Sequence, residues 1–557
     1  MTTTSSLPVT KPRSTVGRAV ENRITRMLGL TAATTEFTVT RNVRVPTRDG
    51  VELAADLYRP TSSAVGTLLV RGPYGRSLPL AFPMARVFAA RGYNCLFVSS
   101  RGTFGSGGDF SPMRTEADDG HDVVAWMVDQ PWFTGTFATL GGSYLGYTQW
   151  ALLADPPTEL VAAVVSVGPH DFGEHAWGTG AFKLDFLGWT NQVVHQEDTG
   201  PVVGALRMAL ATNARRVRSA LDELPLVGPA QTLLEGRAPW YTEWVTRPDL
   251  EDPFWAPLQH GVALDRIEVP VLLFGGWQDI FLEQTIHQFR RLHDRGLDVA
   301  MTIGPWSHIE LATKGISITT QETFAWLEEH LAKSGGRRRP SAVHVFVTGT
   351  KQWRDMPSWP PETDRRSLYL HPDGRLSEEA PTADAAPSTF TFDPAHPTPT
   401  IGGPVLTGKC VVDDTTLSER PDVLTFTGPV LEAPIAVLGA LAVELAHQSD
   451  NRHADLFVRV TEVDRQGRSH NVTEGYLRLD PARTGEPVTV TLRDAAYRFG
   501  AGSRIRLLIA GGSHPRYARN LGTGENPGTG TELRPARHSI AHGRDGVSRL
   551  LLPTSKV

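Results

Sequence analysis

Thr136-Phe137-Ala138-Thr139-Leu140-Gly141-Gly142-Ser143-Tyr144-Leu145-Gly146-Tyr147-Thr148-Gln149-Trp150-Ala151-Leu152-Leu153 decides how the fold of this chain is read. An apolar run ends at Leu140, two glycines follow, and beyond Ser143 the residues Leu145, Thr148 and Ala151 or Leu152 share one helical face. A strand that turns into a helix at a serine, with no bulky Cβ beside it, has the form of a nucleophile elbow. The turn is sharp, so small neighbours let the backbone pass and leave the hydroxyl exposed. The N–H of Tyr144, first on the new helix, then faces negative charge developing on an attacked carbonyl. The spelling departs from G-x-S-x-G, because position 145 is Leu and the second glycine is Gly146. Taken alone, such a turn serves packing as readily as chemistry.

Working outward, strand and helix patterns alternate. Val43 and Val45, the turn Arg48-Asp49-Gly50, and Val51, Leu53, Ala55 and Leu57 make a β-hairpin. Gly66 to Val70 and Asn94 to Val98 are apolar runs suited to central parallel strands, with helices at about Pro79 to Arg91 and Asp118 to Met127. After a strand at Val161 to Val167, residues 170–257 are mainly helical and rich in aromatics. Sheet character returns at Val269 to Phe274 and Ala300 to Ile303, before a helix at Glu322 to Lys333. The pattern predicts an α/β domain with a parallel sheet covered on both faces, in two parts (37–169 and 258–336), interrupted by a helical cap at 170–257. Gly335-Gly336-Arg337-Arg338-Arg339-Pro340 reads as a solvated linker. Short alternating runs from Val343 to Val347 onward then predict an all-β sandwich or jelly roll over 341–557. Residues 1–36 form a tail with a basic amphipathic helix, in which Val16, Val20, Ile24, Met27 and Leu28 recur at helical spacing. That helix packs on its own domain or on a partner subunit in a homodimer, the alternative being a membrane surface.

The totals exclude several classes. At 557 residues the chain exceeds what one core supports. A net charge of −5, with no basic stripe interleaved with aromatics, argues against a nucleic-acid partner. No apolar run approaches the length of a membrane span. Cys95 and Cys410, far apart among apolar neighbours, read as buried free thiols in a reducing, cytoplasmic setting. No metal-ligand cluster is evident. Gly522, Gly524, Gly528 and Gly530 lack a following Gly-Lys-Ser/Thr, so no phosphate-binding loop and no cofactor are expected.

A serine nucleophile needs a base, and the base needs an orienting carboxylate. Two further apolar runs supply them in the order Ser, Asp, His. Phe274-Gly275-Gly276-Trp277-Gln278-Asp279 ends a strand in a Gly-Gly loop bearing Asp279, and Ile303-Gly304-Pro305-Trp306-Ser307-His308 ends another bearing His308. Carboxyl ends of parallel strands are where such sheets place their sites. Singly, Asp279 reads as a helix cap and His308 as a loop histidine; three strand ends in this order read as a catalytic triad.

At this point the chain resembles the CocE/NonD family of serine hydrolases, whose relatives include cocaine-esterase-like enzymes, α-amino-acid ester hydrolases, acylases and X-Pro dipeptidyl peptidases. The resemblance covers about residues 40 to 555. It rests on Arg48-Asp49-Gly50-Val51, Ala55-Asp56-Leu57-Tyr58-Arg59-Pro60, Arg71-Gly72-Pro73-Tyr74, the elbow with its displaced glycine, both loops above, Trp353 to Pro360, Asp393-Pro394 and His514-Pro515-Arg516-Tyr517-Ala518-Arg519-Asn520. It implies that Tyr74 donates its phenolic O–H to the oxyanion beside the Tyr144 N–H, a role a neutral phenol suits. It also implies that Phe281 walls the substrate pocket. Trp150 and Trp177 are further pocket candidates, with core packing as the alternative. Asp171, Glu174 and Asp185 are candidates for binding a substrate ammonium, against capping or solvated roles. Ser99-Ser100-Arg101-Gly102 departs from the family, which carries an acid before Arg-Gly, so a loop-bracing ion pair is expected to be missing. The expected activity is hydrolysis of a small ester or amide through an acyl-enzyme, without metal or organic cofactor. The alternatives are an X-Pro dipeptidyl-peptidase-type aminopeptidase and a non-catalytic binding protein on a hydrolase scaffold.

Overall fold

The structure, a computed structural model, describes residues 21–555 apart from 22, 199–210, 337–338, 383–384, 407, 484, 486 and 544–545. Its centre is a ten-stranded sheet in the order β1-β2-β4-β3-β5-β6-β7-β8-β9-β10. β1 (Phe37–Pro46) and β2 (Glu52–Pro60) form the expected hairpin across Gly50, with Val45 opposite Leu53. β3 (Gly66–Gly72), β4 (Tyr93–Ser99), β5 (Phe137–Gly142), β6 (Leu160–Ser166), β7 (Val271–Gln278) and β8 (Val299–Ser307) are parallel. Their residues are apolar on both faces because both faces are covered. In β6, Ala163 and Val165 face one core while Ala162 and Val164 face the other.

Two boundaries move. β9 (Val343–Val347), expected to open the sandwich, instead pairs parallel with β8, and β10 (Gln352–Met356) adds an antiparallel edge. The parallel sheet therefore continues past the Arg-rich segment rather than ending at 336. Arg339 is part of that junction and not solvated: its guanidinium bonds Glu322 and donates to Met301 O at 2.8 Å. Arg337 and Arg338 lie outside the described residues. The Gly-Gly and Gly-Pro segments before Asp279 and His308 are the last residues of β7 and β8, not loops. Gly276 is required there, since a Cβ would meet Trp306 O at 2.2 Å.

Around the sheet run α1 (Glu116–Val128) and α2 (Tyr144–Leu153). Between β6 and β7 come α3 (Phe172–Trp177), α4 (Asp185–His195), α5 (Ala211–Asp222), α6 (Val227–Leu233) and α7 (Pro239–Thr246). After β7 follow α8 (Leu282–Asp294), α9 (His308–Leu311) and α10 (Ile316–His330). Residues 23–27 are helical, and Leu28 O accepts from Ser317 and Gln321 of α10, so this segment packs on its own domain. Val16 and Val20 lie outside the described residues. From Asp364 the chain is β-rich, in sheets of five, four and three strands around an apolar core. This part also grips the inserted helices: Leu184 N donates to Arg516 O at 2.9 Å and Ala518 N to Phe182 O at 2.8 Å. Among the described residues, no helix is long and apolar enough to cross a membrane.

Candidate active site

Ser143 stands between β5 and α2 with φ 59° and ψ −124°, a conformation costly for a residue with a Cβ. The fold holds it there. Ser143 N donates to Ser166 O at 2.9 Å, and Gly146 and Tyr147 N–H groups turn back to Ser143 O at 2.8 and 2.9 Å. The displaced glycine has a packing reason: a Cβ on Gly146 would lie 2.7 Å from Gly168 Cα, where α2 presses on the end of β6. The Tyr144 N–H, at the first helical position, has no backbone acceptor among the described residues, as helix geometry dictates. The Tyr144 hydroxyl is anchored, donating to Glu116 Oε1 at 2.9 Å and accepting from Met113 N at 2.6 Å. Glu116 in turn pairs with buried Arg71 at 2.7 Å.

His308 opens α9, whose start is fixed by a capping box between Ser307 and Glu310. Its Nε2 lies 2.9 Å from Ser143 Oγ and its Nδ1 2.6 Å from Asp279 Oδ1. Asp279 is fully buried, and its second oxygen accepts from Phe281 N at 3.0 Å. With Nδ1–H donated to the carboxylate, Nε2 is left to accept the serine proton. The three strand ends thus converge on one hydrogen-bonded line.

Tyr74 reaches this line from the loop after β3. Its hydroxyl accepts from Trp189 Nε1 at 3.0 Å. Burial pushes its pKa up to about 12, offset in part by hydrogen bonds with Trp189 and Ser143, so the phenol keeps its proton. Trp189, on α4, also stacks near Tyr144, with ring centroids 6.1 Å apart. Neither Trp189 nor Glu116 stood out in the sequence. Trp189 meets Tyr74 across 115 residues, a separation no local periodicity reports.

Phe281 lies 5.5 Å from the His308 ring and 4.4 Å from His175, beside the line of hydrogen-bonded side chains. The two tryptophans proposed with it do not share that position. Trp150 is fully buried under the sheet, its indole N–H donated to Gly168 O at 3.2 Å, because α2 packs along its whole length. Trp177 is an interior residue of the inserted helices, bonding Trp244 O at 2.8 Å and packing on Phe182. Among the acidic candidates, Asp171 caps α3 by accepting from Glu174 N at 2.8 Å. Asp185, at the start of α4, is pushed up to about 6 by burial, with Arg516 and Lys183 opposing. The ion pair expected to be missing near Ser99-Ser100 is present in another form: Arg101 pairs with Asp49 at 2.7 Å and Asp119 at 2.6 Å. Among the described residues, the group of Asp298, Glu329 and His330 has the donors and spacing for a metal. It lies where β8 begins, at the opposite end of that strand from His308.

The X-Pro dipeptidyl-peptidase (S15) family matches residues 49–310, and the family's C-terminal non-catalytic domain matches residues 336–551. The chain is 29% identical to a cocaine esterase from a Rhodococcus species, covering 93% of this chain and 99% of that protein. In structure it resembles an α-amino acid ester hydrolase, with a TM-score of 0.79 at 21% identity over 94% of this chain and 98% of the other. It also resembles a CocE/NonD family hydrolase from Staphylococcus aureus, with a TM-score of 0.69 at 17% identity, covering 93% and 94%. The family match spans both the α/β-hydrolase part and the β-rich part, and the strained serine, its histidine and its buried carboxylate lie inside it. The two matches together take in most of the chain, which belongs to the X-Pro dipeptidyl-peptidase (S15) family of serine hydrolases and acts on ester or amide bonds.

Proposed function

We propose that this hydrolase is an esterase of small acyl esters, with Ser143 as nucleophile, His308 as general base and Asp279 as the acid that orients it. The observation that carries the proposal is the line Asp279 Oδ1 to His308 Nδ1 to Ser143 Oγ, at 2.6 and 2.9 Å. His308 takes the Ser143 proton as Oγ attacks the carbonyl carbon, then delivers it to the leaving oxygen. Asp279 keeps Nδ1 protonated and stabilises the imidazolium that forms. The oxyanion is met by the Tyr144 N–H and the Tyr74 O–H. Because Trp189 already fills an acceptor site on the phenol oxygen, the phenol's own proton is left to donate, to Ser143 at rest and to the oxyanion as charge develops there. Water, deprotonated by His308, then releases the acyl group from Ser143.

An ester is favoured over an N-terminal dipeptide by the state of the carboxylates. An aminopeptidase needs acidic groups available to a substrate ammonium. Asp171 is spent as a cap, Glu283 pairs with Arg493 at 2.7 Å, and Asp185 lies in the field of Arg516 and Lys183. Cys95 and Cys410 are buried free thiols, which supports a reducing, cytoplasmic setting. A panel of p-nitrophenyl esters, aminoacyl esters and Xaa-Pro-anilides tests the reading. Turnover of the simple esters is expected to exceed that of the anilides, and the reverse order would reject it.

A further inference from the structure

The β-rich part that matches the family's non-catalytic domain reaches the triad. Three consecutive contacts come from its strands Ser469–Arg478 and Val488–Phe499. Gln278 Nε2 donates to Val472 O at 3.5 Å, a long contact at the end of β7. Arg493 Nη2 donates to the main-chain carbonyl of Asp279 itself. Arg493 Nε lies 2.7 Å from Glu283 Oε1, in the first turn of α8. One residue on, Asp494 pairs with Arg290 of α8 at 2.6 Å and accepts from Trp359 Nε1 at 2.9 Å.

The strand is shaped for this. Between the strands Ile435–Leu445 and Val488–Phe499, Ala440 pairs with Asp494 and Ala442 with Thr491. Leu492 and Arg493 therefore stand opposite Leu441 alone, which makes a β-bulge. A bulge leaves a residue out of the ladder and re-aims its side chain. Leu492 turns into the apolar core of the β-rich part, while Arg493, 7% exposed, points at the acid. Thr473 Oγ1 fixes the bulge by donating to Arg493 O at 2.7 Å. A buried guanidinium is costly to desolvate and is kept where its planar fork spans two acceptors. Here one arm of the fork donates to the backbone of the triad acid, and Nε stands in ion-pair contact with a carboxylate four residues beyond it.

We propose that Arg493 is a positioning residue for the hydrolytic reaction: from the C-terminal β-rich domain it clamps the Asp279 carbonyl and thereby sets the acid's carboxylate against His308. The proposal rests on the triad reading given above. Asp279 O also accepts from Leu282 N at 3.3 Å, so loss of Arg493 loosens the turn without unravelling it. A displaced acid misaligns the imidazole, and misalignment of about 1 Å is felt in kcat by up to roughly 100-fold.

The test compares Arg493→Met, Arg493→Lys, Glu283→Gln and the double variant Arg493→Met/Glu283→Gln in the full chain, on a p-nitrophenyl ester. Arg493→Met is expected to lower kcat roughly 10- to 100-fold with KM within about twofold. Arg493→Lys, which keeps one donor and the charge, is expected to recover part of that loss. Glu283→Gln alone is expected to stay near wild type, and the double variant to be no better than Arg493→Met. Recovery of wild-type kcat in the double variant would overturn the proposal, because Arg493 would then only balance Glu283. If Arg493→Met does not fold, Arg493→Lys decides. A kcat loss of about fivefold or more at unchanged KM and Tm supports positioning, and wild-type kcat overturns it. Ser143→Ala, assayed alongside, reports on the triad separately: if it stays active, the triad reading fails whatever Arg493 does.

Discussion

Trp189 Nε1 donates to the Tyr74 hydroxyl at 3.0 Å, tying helix α4 of the inserted segment to the loop after β3. The contact orients a phenol that remains protonated, since burial holds its pKa at about 12. Tyr74→Phe removes one hydroxyl and little volume. It is expected to lower kcat by roughly 10²–10³-fold, more than it changes KM, at a similar Tm. Trp189→Phe leaves the phenol in place but unoriented. It is expected to cost about 1 kcal/mol of transition-state stabilisation, roughly fivefold in kcat. Steady-state kinetics on one ester checks both, and a Tyr74→Phe enzyme with more than about half the wild-type kcat would return Tyr74 to a structural role.

The elbow carries a packing constraint that is separate from its chemistry. Gly146→Ala places a methyl 2.7 Å from Gly168 Cα, and backbone cannot swing aside as a side chain does. The expected loss is about 1–3 kcal/mol of stability, read from the urea midpoint. A variant as stable as wild type would mean that α2 and β6 are not so closely packed.

Acid sensitivity follows from buried histidines. Burial lowers the pKa of His170 and His447 to about 3 and those of His260, His514 and His538 to about 4. Unfolded, each ring titrates near its ordinary value of about 6.5. Below that pH the unfolded chain binds protons that the folded chain refuses, so stability rises with pH and is lost as pH falls from about 6.5 toward 4. The urea midpoint at about pH 5 is therefore expected to lie below that at about pH 7. An unchanged midpoint would contradict the burial of these rings as neutral groups.

What was legible in the sequence was local. Ser143, Asp279 and His308 each follow an apolar run with glycines beside it, so the strand ends announced themselves and the topology brought them together. Phe281 is named because the family resemblance places an aromatic wall two residues beyond the acid, and the structure sets its ring 5.5 Å from that of His308. Val343 to Val347 reads as a sandwich strand because its valines alternate with His344 and Phe346; they do so in the parallel sheet because β9 lies near its edge, with only β10 beyond it. Trp150 and Trp177 were drawn to the pocket by aromatic character, which reports area to bury and not where it is buried. Trp189 and Arg493 could not be read at all. They touch Tyr74 and Asp279 across 115 and 214 residues, and only tertiary structure holds that information.

The central claim is that Ser143 is the nucleophile, made so by its 2.9 Å hydrogen bond to His308 Nε2. The most direct measurement is reaction of the purified protein with a fluorophosphonate probe, followed by mass spectrometry of the labelled peptides. One adduct per chain, on Ser143, with both labelling and ester turnover abolished in Ser143→Ala, is the result expected. An adduct on another residue, or Ser143→Ala turning over ester near the wild-type rate, would contradict the account.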